Sequence, residues 1–278
     1  KGGGIYLINS EGFQSTPVIK DLVIKDNIAP KGGGIYLFHV NPIIERIQVV
    51  GNYAYNNGGG IYCFESHPII RNVTITENKS HYNNSYGAGI YMEGNNPPYD
   101  PGLRIVNSIV WGNKRGAGTG EEIPDQIYVT GTGRMLEVAF SDIEDLEGEG
   151  IQFYSTIDDY TNFSNISETP LFTDSENNDF SLLQGSPAID AGTASYISQI
   201  DGLVIVNIPD SLFSGSAPDM GALESPYEGT GGSTELVVEY MEGWNIVGLP
   251  LYVEDASYGA LFSDAVNGTL YGYESSYY

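Results

Sequence analysis

A five-residue signature that recurs through the first third of the chain constrains the fold more than any other feature of the sequence. Gly-Gly-Gly-Ile-Tyr occurs three times, and Gly-Ala-Gly-Ile-Tyr occurs once. The last glycines of the four copies are Gly4, Gly34, Gly60 and Gly89, so the spacings are 30, 26 and 29 residues. Similarity at such a period is typical of a solenoid, in which each repeat buries its apolar face against its neighbours.

A second apolar segment follows each signature, and an asparagine stands ten residues after the start of that segment. The segments begin at Pro17, Pro42, Pro68 and Leu103, and the asparagines are Asn27, Asn52, Asn78 and Asn113. The segments are rich in β-branched residues and bounded by Gly, Pro and Asn, which predicts strands. Asparagine suits a turn because it bonds the backbone and tolerates a left-handed φ. The sequence therefore predicts an all-β, parallel β-helix with a rise of about 4.8 Å per coil.

Alternation along the strands predicts which side chains form the interior. Lys20, Glu45 and Arg71 then form an outward row of alternating sign, which favours stacking of successive coils. Cys63 falls on an inward position, so we expect a core residue and not a reactive thiol. The predicted inward positions are Ile5, Ile35, Ile61 and Ile90; Leu7, Leu37, Cys63 and Met92; Ile19, Ile44, Ile70 and Ile105; and Ile24, Val49, Ile75 and Val110.

The repeat fades towards the middle of the chain, which predicts four regions. Residues 1–150 form the coils, and residues 151–228 form a terminal or capping module. Residues 229–233 are a Gly/Ser linker, and residues 234–278 are the truncated start of a small β-sandwich-like domain. Because the chain starts inside a repeat and stops inside strand-like sequence, we expect a piece of a longer protein. Self-association through an uncapped coil is the alternative.

The charge of the chain excludes several classes of partner. It has 36 acidic and 11 basic residues, a net charge of −25. Nucleic acid and polyanionic substrates need a basic surface, so neither is an expected partner. We expect no membrane insertion in this segment, because no apolar run approaches the roughly 18 residues of a span. A single cysteine excludes an intramolecular disulfide framework.

Several motifs resemble those of known bacterial surface proteins. The Gly-Gly-Gly-Ile-Tyr coils and Asn107-Ser-Ile-Val-Trp-Gly-Asn113 resemble right-handed parallel β-helix repeat proteins, which overlap in pattern with polymorphic outer-membrane proteins. Gly185-Ser-Pro-Ala-Ile-Asp-Ala-Gly192 and Pro218-Asp-Met-Gly-Ala-Leu-Glu224 resemble a choice-of-anchor type module that ends such helices. Gly243-Trp-Asn-Ile-Val-Gly-Leu-Pro250 is similar to a β-domain opening in large surface proteins. The resemblance implies a right-handed solenoid that is extracellular or on the outer cell surface, but a fold does not fix an activity.

The tyrosines of the signature are the candidate ligand-binding residues. Each lies between two inward positions and is predicted to point outward, and two residues later the same face carries Phe38 and Phe64. An exposed apolar stripe of this size is normally covered. A loop such as residues 94–102 can cover it, sugar rings can stack on it, or another protein can dock there. The predicted row is Tyr6, Tyr36, Tyr62 and Tyr91 with Phe38 and Phe64.

Candidate catalytic and metal-binding residues carry weaker signals. His39, Glu65 and Glu93 lie near the ends of signature strands on adjoining coils, where two carboxylates can approach within catalytic range. No cationic cluster accompanies them. Two acidic stretches offer oxygen ligands for Ca²⁺, although solvated loops are favoured and no cofactor is expected. The candidate metal ligands are Asp142, Glu144 and Asp145 in one stretch, and Asp174 and Asp179 in the other.

These features together predict a structural or adhesive protein. We expect a non-catalytic extracellular or cell-surface β-helix whose partner is an extracellular polysaccharide or another cell-surface component. The alternative is a carbohydrate-active enzyme, either a polysaccharide lyase or a glycoside hydrolase, that works on one face of the solenoid. A groove lined by carboxylates favours the enzyme, whereas a continuous aromatic face favours the structural or adhesive role.

Overall fold

The computed structural model describes residues 2–9, 16–94, 102–131, 135–154, 159–227 and 229. The chain divides into two compact units, residues 1–232 and 233–278. The second unit lies outside the described residues, and with it the predicted β-sandwich-like start at 234–278. Apart from two short 3-10 helices, the regular elements in the described part of the first unit are strands. The predicted all-β fold with stacked parallel strands is therefore confirmed.

The signature strands form the first of three parallel sheets. Each signature Ile and Tyr pairs in register with the same residue of the next coil, as Ile35 does with Ile61 and Tyr36 with Tyr62. The order along the sheet is β1 (Ile5–Ile8), β4 (Ile35–Phe38), β7 (Ile61–Phe64), β10 (Ile90–Glu93), β15 (Ile127–Thr130) and β18 (Ile151–Phe153).

The second sheet contains the segments that follow the signatures. A residue with positive φ bends each of its long strands, as Arg46 (49°) and Asn72 (50°) do. In later coils the bend divides the strand in two, at Asn107 and at Phe140. Its strands are β2 (Val18–Lys25), β5 (Ile43–Val50), β8 (Ile69–Thr76), β11 (Leu103–Val106), β12 (Ile109–Trp111), β16 (Met135–Ala139), β17 (Asp142–Ile143) and β19 (Asp159–Phe163).

The third sheet is short and follows the asparagine turns. Its parallel strands are β3 (Ile28–Ala29), β6 (Tyr53–Ala54), β9 (Lys79–Ser80) and β13 (Lys114–Arg115), with β14 (Ile123–Pro124) antiparallel at one edge. Each parallel strand begins one residue after a ladder asparagine, so this sheet keeps the register that the asparagines set.

The interior is the aliphatic stack that the alternation predicts. Ile35, Leu37 and Ile70 are fully buried in one continuous cluster, and Cys63 lies in that cluster between Leu37 and Met92. Burial raises the pKa of the Cys63 thiol well above its usual range, which keeps it protonated. The coils at the two ends are looser, because Ile5 and Leu7 in the first coil and Phe153 and Tyr160 in the last are only partly buried.

A ladder of side-chain amides runs along the coils beside the interior. Asn27 Nδ2 donates to Asn52 Oδ1 at 2.9 Å, and the same contact joins Asn52 to Asn78 at 3.0 Å. The ladder continues from Asn78 to Asn113 at 2.9 Å and ends on Gln126 Oε1 at 2.8 Å. The Nδ2 groups also donate to backbone carbonyls, so these buried polar groups are paired.

Glycine is required where the signature meets the ladder. A Cβ atom on Gly34 would lie 2.7 Å from the carbonyl oxygen of Gly60 and 3.0 Å from Asn52 Nδ2. The approach to the carbonyl oxygen is closer than a carbon atom tolerates, so a side chain here would push the coils apart. The recurrence of glycine in the signature therefore follows from the close approach of one coil to the next.

The coil stack extends past residue 150, the boundary that the sequence suggested. Strand β18 pairs with β15, and β19 pairs with β16, which carries the parallel pairing to Phe163. The last coil has no Gly-Gly-Gly-Ile-Tyr signature. In its strand, Gln152 occupies the position of the signature tyrosine, opposite Tyr128. Without the signature, the sequence gives no sign that the stacking continues.

The residues that follow fold back over the outer face of the second sheet. Tyr196, Ile205 and Val206 bury Val106 and Ala139, and a neighbouring cluster contains Ile109, Leu182, Ala188, Ile189 and Met220. Two antiparallel hairpins and two short 3-10 helices make up this segment. They are β20 (Phe172–Asp174) with β21 (Asp179–Leu182), β22 (Ser195–Ile197) with β23 (Val204–Asn207), and the helices Ser175–Asn177 and Asp210–Leu212.

Buried charges fasten the second hairpin to the coils. Glu137 accepts hydrogen bonds from the hydroxyls of Tyr196 (2.8 Å) and Ser198 (2.7 Å). Arg104 Nε lies 3.4 Å from Glu137 Oε2, and Arg104 Nη2 donates to Asp201 Oδ2 at 2.6 Å. Arg104 and Glu137 are both almost completely buried. Each charge therefore depends on these partners, which come from distant parts of the chain.

Candidate functional site

The signature tyrosines form a stacked column of rings, here called the tyrosine row. Its members are in register in the first sheet, and Tyr128 of the fifth strand extends it. Neighbouring ring centroids from Tyr36 to Tyr128 lie 4.9 to 5.6 Å apart, with interplanar angles of 19° or less. Tyr6 at the end is tilted by 50° against Tyr36. The row comprises Tyr6, Tyr36, Tyr62, Tyr91 and Tyr128.

The row lies outside the aliphatic interior but is mostly covered. Tyr6 is 37% exposed, whereas Tyr62 is 0% and Tyr91 is 7% exposed. Tyr36, Phe64 and Tyr86 pack against the buried members. The insertion that we expected as a cover falls largely outside the described residues, since 95–101 are not among them.

Stacking decides what the row offers to a ligand. Phe38 and Phe64 repeat the arrangement beside it, with centroids 5.1 Å apart and planes within 7°. A ring stacked on both sides turns its edge to the solvent, whereas a sugar ring packs on an exposed aromatic face. The row is therefore better suited to holding coils together than to forming a binding platform.

The three catalytic candidates fall into two separate contacts. His39 Nε2 lies 3.1 Å from Glu65 Oε2, and both side chains are partly exposed. Glu93 instead accepts a hydrogen bond from the Tyr62 hydroxyl and lies 3.7 Å from Lys31 Nζ. Burial, together with Glu93, raises the pKa of Tyr62 far above its usual range. Glycosidic hydrolysis of the common kind uses two carboxyl groups that flank one bond, and here Glu93 is held in a contact of its own.

The first acidic stretch has structural roles. Asp142 is completely buried, and its Oδ1 accepts from Glu168 N at 3.1 Å. Desolvation raises the pKa of Asp142 to about 8, so the carboxyl is largely neutral at pH 7, unlike a calcium ligand. Glu144 Oε2 accepts from Gln126 Nε2 at 2.6 Å and so closes the amide ladder. Asp145 accepts from Glu149 N within a turn.

The second acidic stretch stabilises a short helix and a strand. Asp174 caps the first 3-10 helix by accepting from Asn177 N at 3.3 Å. Asp179 accepts from the Ser181 hydroxyl at 2.6 Å, and this bond lowers the pKa of Asp179. Across the described ranges, no three His, Cys, Asp or Glu side chains are grouped so that they could hold a metal ion. The predicted metal ligands are thus dispersed among local contacts.

A comparison with protein families fits the stacked parallel strands. A family model described as "Right handed beta helix region" matches residues 1–143, just over half of the 278 residues. The chain belongs to the right-handed β-helix family. The match covers strands β1 to β17 and ends before the last coil strands, β18 and β19. It leaves the choice-of-anchor resemblance of the later residues a prediction. Comparisons with curated proteins and with solved structures gave no match.

The β-helix also carries a cleft that sequence reasoning missed. A space of about 770 Å³ is lined by Tyr53, Lys79 and Lys114 of the third sheet, by Trp111, and by Phe172 of the first hairpin. The sequence did contain a signal for the side of the cleft that the third sheet forms. Each ladder asparagine there is followed directly by a cleft residue, namely Tyr53, Lys79 or Lys114. Nothing local indicated that the hairpin would meet them. Among the described residues of the β-helix, no helix has the length and apolarity to cross a membrane.

Proposed function

We propose that this chain is a structural or adhesive β-helix protein of the cell surface or extracellular space, and that its coils act as a rigid spacer and not as a catalyst. The observation that carries the proposal is the run of side-chain ladders from coil to coil. The amide ladder runs on one side of the interior and the tyrosine row on another. Ladders of this kind resist sliding and bending, because each coil is tied to the next at several points.

The charge distribution supports a role away from polyanions. A net charge of −25 keeps the chain soluble and repels nucleic acid and acidic polymers. Neutral polysaccharides and other cell-surface components remain as partners. The location is supported by the resemblance of the coils and of the capping segment to bacterial surface proteins.

Antibody labelling of cells that produce the full-length protein tests the location. We expect intact cells, or their culture medium, to carry the label at the level found after permeabilisation. Labelling that requires permeabilisation would place the protein inside the cell and end the proposal. A cytoplasmic marker protein probed in parallel reports whether the intact cells have leaked.

A carbohydrate-active enzyme is the second candidate, and one observation favours it. The 3.1 Å contact between His39 and Glu65 is a partly exposed acid–base pair at the end of two signature strands. The chain should be incubated with a panel of polysaccharides, and new reducing ends and unsaturated products measured. We expect no release above that of a Glu65→Gln variant. Release that Glu65→Gln abolishes and the matched exposed variant Glu121→Gln retains would establish the enzyme instead.

A further inference from the structure

The cleft beside the third sheet differs from the tyrosine row in how it presents aromatic rings. Tyr53, Trp111 and Phe172 line it, and all three are partly exposed. Tyr53 meets Tyr55 at 81° and His81 at 69°, and Phe172 meets Phe180 at 85°. Edge-to-face contacts do not cover a ring on both sides, whereas the parallel stacking of the tyrosine row does. Trp111 and Phe172 pack on one side against the apolar cluster that contains Ile109 and Leu182, and like Tyr53 they keep part of their ring surface exposed in the cleft.

Paired charges supply the polar part of the cleft. Lys79 and Lys114 are in register in the third sheet, and both reach the same carboxylate. Lys79 Nζ donates to Glu122 Oε1 at 2.6 Å, and Lys114 Nζ lies 3.6 Å from Glu122 Oε2. Glu77 also lines the cleft, and burial raises its pKa. Ammonium donors and carboxylate acceptors side by side match the hydroxyl groups of a sugar, which both donate and accept.

Charge selects among the saccharides that such a cleft can take. Two lysines and two glutamates balance within it, while the whole chain carries −25. An acidic saccharide would gain little in the cleft and would be repelled by the rest of the molecule. The volume of about 770 Å³ lies within the range of about 300 to 1,000 Å³ that is usual for small-molecule sites.

We propose that this cleft binds a neutral oligosaccharide, with Trp111 and Tyr53 packing on sugar rings and Lys79, Lys114 and Glu122 bonding sugar hydroxyls. The site deepens the adhesive role proposed above and rests on it. It places glycan contact between the third sheet and the first hairpin, and not on the tyrosine row.

Tryptophan fluorescence gives a direct readout of this site. These 278 residues contain two tryptophans, Trp111 and Trp244, so a Trp244→Phe variant of this chain reports on Trp111 alone. This variant should be titrated with cellohexaose, xylohexaose, mannohexaose and laminarihexaose, and with hexagalacturonate as the acidic comparison, by fluorescence and calorimetry together. We expect at least one neutral hexasaccharide to bind and to change the Trp111 emission. Hexagalacturonate should not bind.

Variants then locate the binding. Tyr53→Ala and Glu122→Gln should each weaken binding about tenfold, the loss expected when one aromatic or charged contact is removed. Tyr6→Ala, the most exposed member of the tyrosine row at 37%, should leave binding unchanged. Thermal unfolding of each variant confirms that it is folded. Lys114→Ala removes the second lysine that contacts Glu122 and tests whether this side of the cleft also contributes to binding.

Three results would overturn the proposal. The first is that no neutral hexasaccharide binds, and the second is that hexagalacturonate alone binds. The third is that Tyr6→Ala abolishes binding whereas Tyr53→Ala leaves it unchanged. Surface labelling is independent of all three. If the protein is found at the cell surface but binds no hexasaccharide, only the cleft proposal is wrong. If it binds a neutral hexasaccharide but lies inside the cell, only the proposed location is wrong.

Discussion

Asn78 shows how much one side chain contributes to the coil stack. Its Nδ2 donates to Val49 O, Thr76 O and Asn113 Oδ1, and its Oδ1 accepts from the backbone and side chain of Asn52. The side chain is fully buried. Removing it takes away these five hydrogen bonds and leaves the buried N–H of Asn52 without this acceptor.

We expect Asn78→Ala to lower the free energy of unfolding by about 2 to 4 kcal/mol, because it removes five buried hydrogen bonds and takes the acceptor from the N–H of Asn52. Asn56→Ala is the matched control, since Asn56 is exposed and only its backbone N–H bonds the neighbouring coil. Urea titration of both variants measures the difference. Equal midpoints would mean that the ladder contributes nothing to stability.

A second prediction for single residues concerns the packing of the interior. Ile70 is fully buried between coils, so Ile70→Ala should cost about 2 to 5 kcal/mol through lost burial and the cavity left behind. Lys20 is exposed on the outer face of the second sheet, and Lys20→Ala should change stability by less than about 1 kcal/mol. Denaturant midpoints report both, and a Lys20→Ala variant as unstable as Ile70→Ala would contradict the assigned faces.

The sequence placed the ladder asparagines correctly but misjudged their backbone. We expected asparagine to occupy the left-handed position of the turn. The positive φ belongs instead to the residue before it, such as Glu77 (57°) before Asn78 or Gly112 (70°) before Asn113. The asparagine is required for the bonds to its neighbours in adjoining coils. A pattern read along one chain segment does not show such contacts.

The second hairpin, β22–β23, depends on charges from the coils. Glu137 accepts three hydrogen bonds from this hairpin region, from Tyr196, Ser198 and Gln199 N. Glu137→Ala removes these and leaves Arg104 buried without its nearest coil partner, so we expect a loss of about 3 to 5 kcal/mol. Hydrogen exchange should accelerate in Ser195–Asn207. Asp210→Ala, on the exposed second 3-10 helix, is the control. If Glu137→Ala leaves the hydrogen-exchange protection of the hairpin unchanged, the apolar contacts alone hold it.

Elements were predictable where contacts repeat and not where they are unique. The first four coils follow from the sequence because identical residues meet in register, as Ile35 meets Ile61. Alternation also gave the outward direction of the tyrosines, but it says nothing about what covers them, so the burial of Tyr62 was missed. The docking of Ser198 on Glu137 joins residues 61 positions apart, and no local pattern encodes it.

For the molecule as a whole, buried carboxyls link stability to pH. Desolvation raises the pKa of Asp125 to about 6, of Glu224 to about 7 and of Asp142 to about 8. The folded chain thus keeps protons that the unfolded chain loses above about pH 4. The stability that these protonated groups give is complete at the lower pH and falls as the pH rises towards about 8.

We therefore expect thermal unfolding to begin at a lower temperature at about pH 8.5 than at about pH 5.5, since the net charge of −25 adds repulsion in the same direction. Asp142→Asn keeps a neutral side chain at every pH and should reduce this difference. Calorimetric scans across the range measure it. Asp210→Asn, at an exposed position, serves for comparison, and an equal pH dependence in both variants would exclude Asp142 as a source.

The register of the coils has a consequence for the length of the coil stack. A chain lacking residues 35–60 would join Gly34 to Ile61, seat the first coil on the third, and bring Asn27 to Asn78. In the first sheet it would find the kind of partner it already has, since Ile5 would meet Ile61 as it now meets Ile35. On the outer face of the second sheet Lys20 would instead meet Arg71 in place of Glu45, so the charges there would have to change. Loss or gain of one such unit changes the length of the coil stack by about 4.8 Å. The stack can thus be lengthened or shortened in fixed increments while its interior contacts stay of one kind.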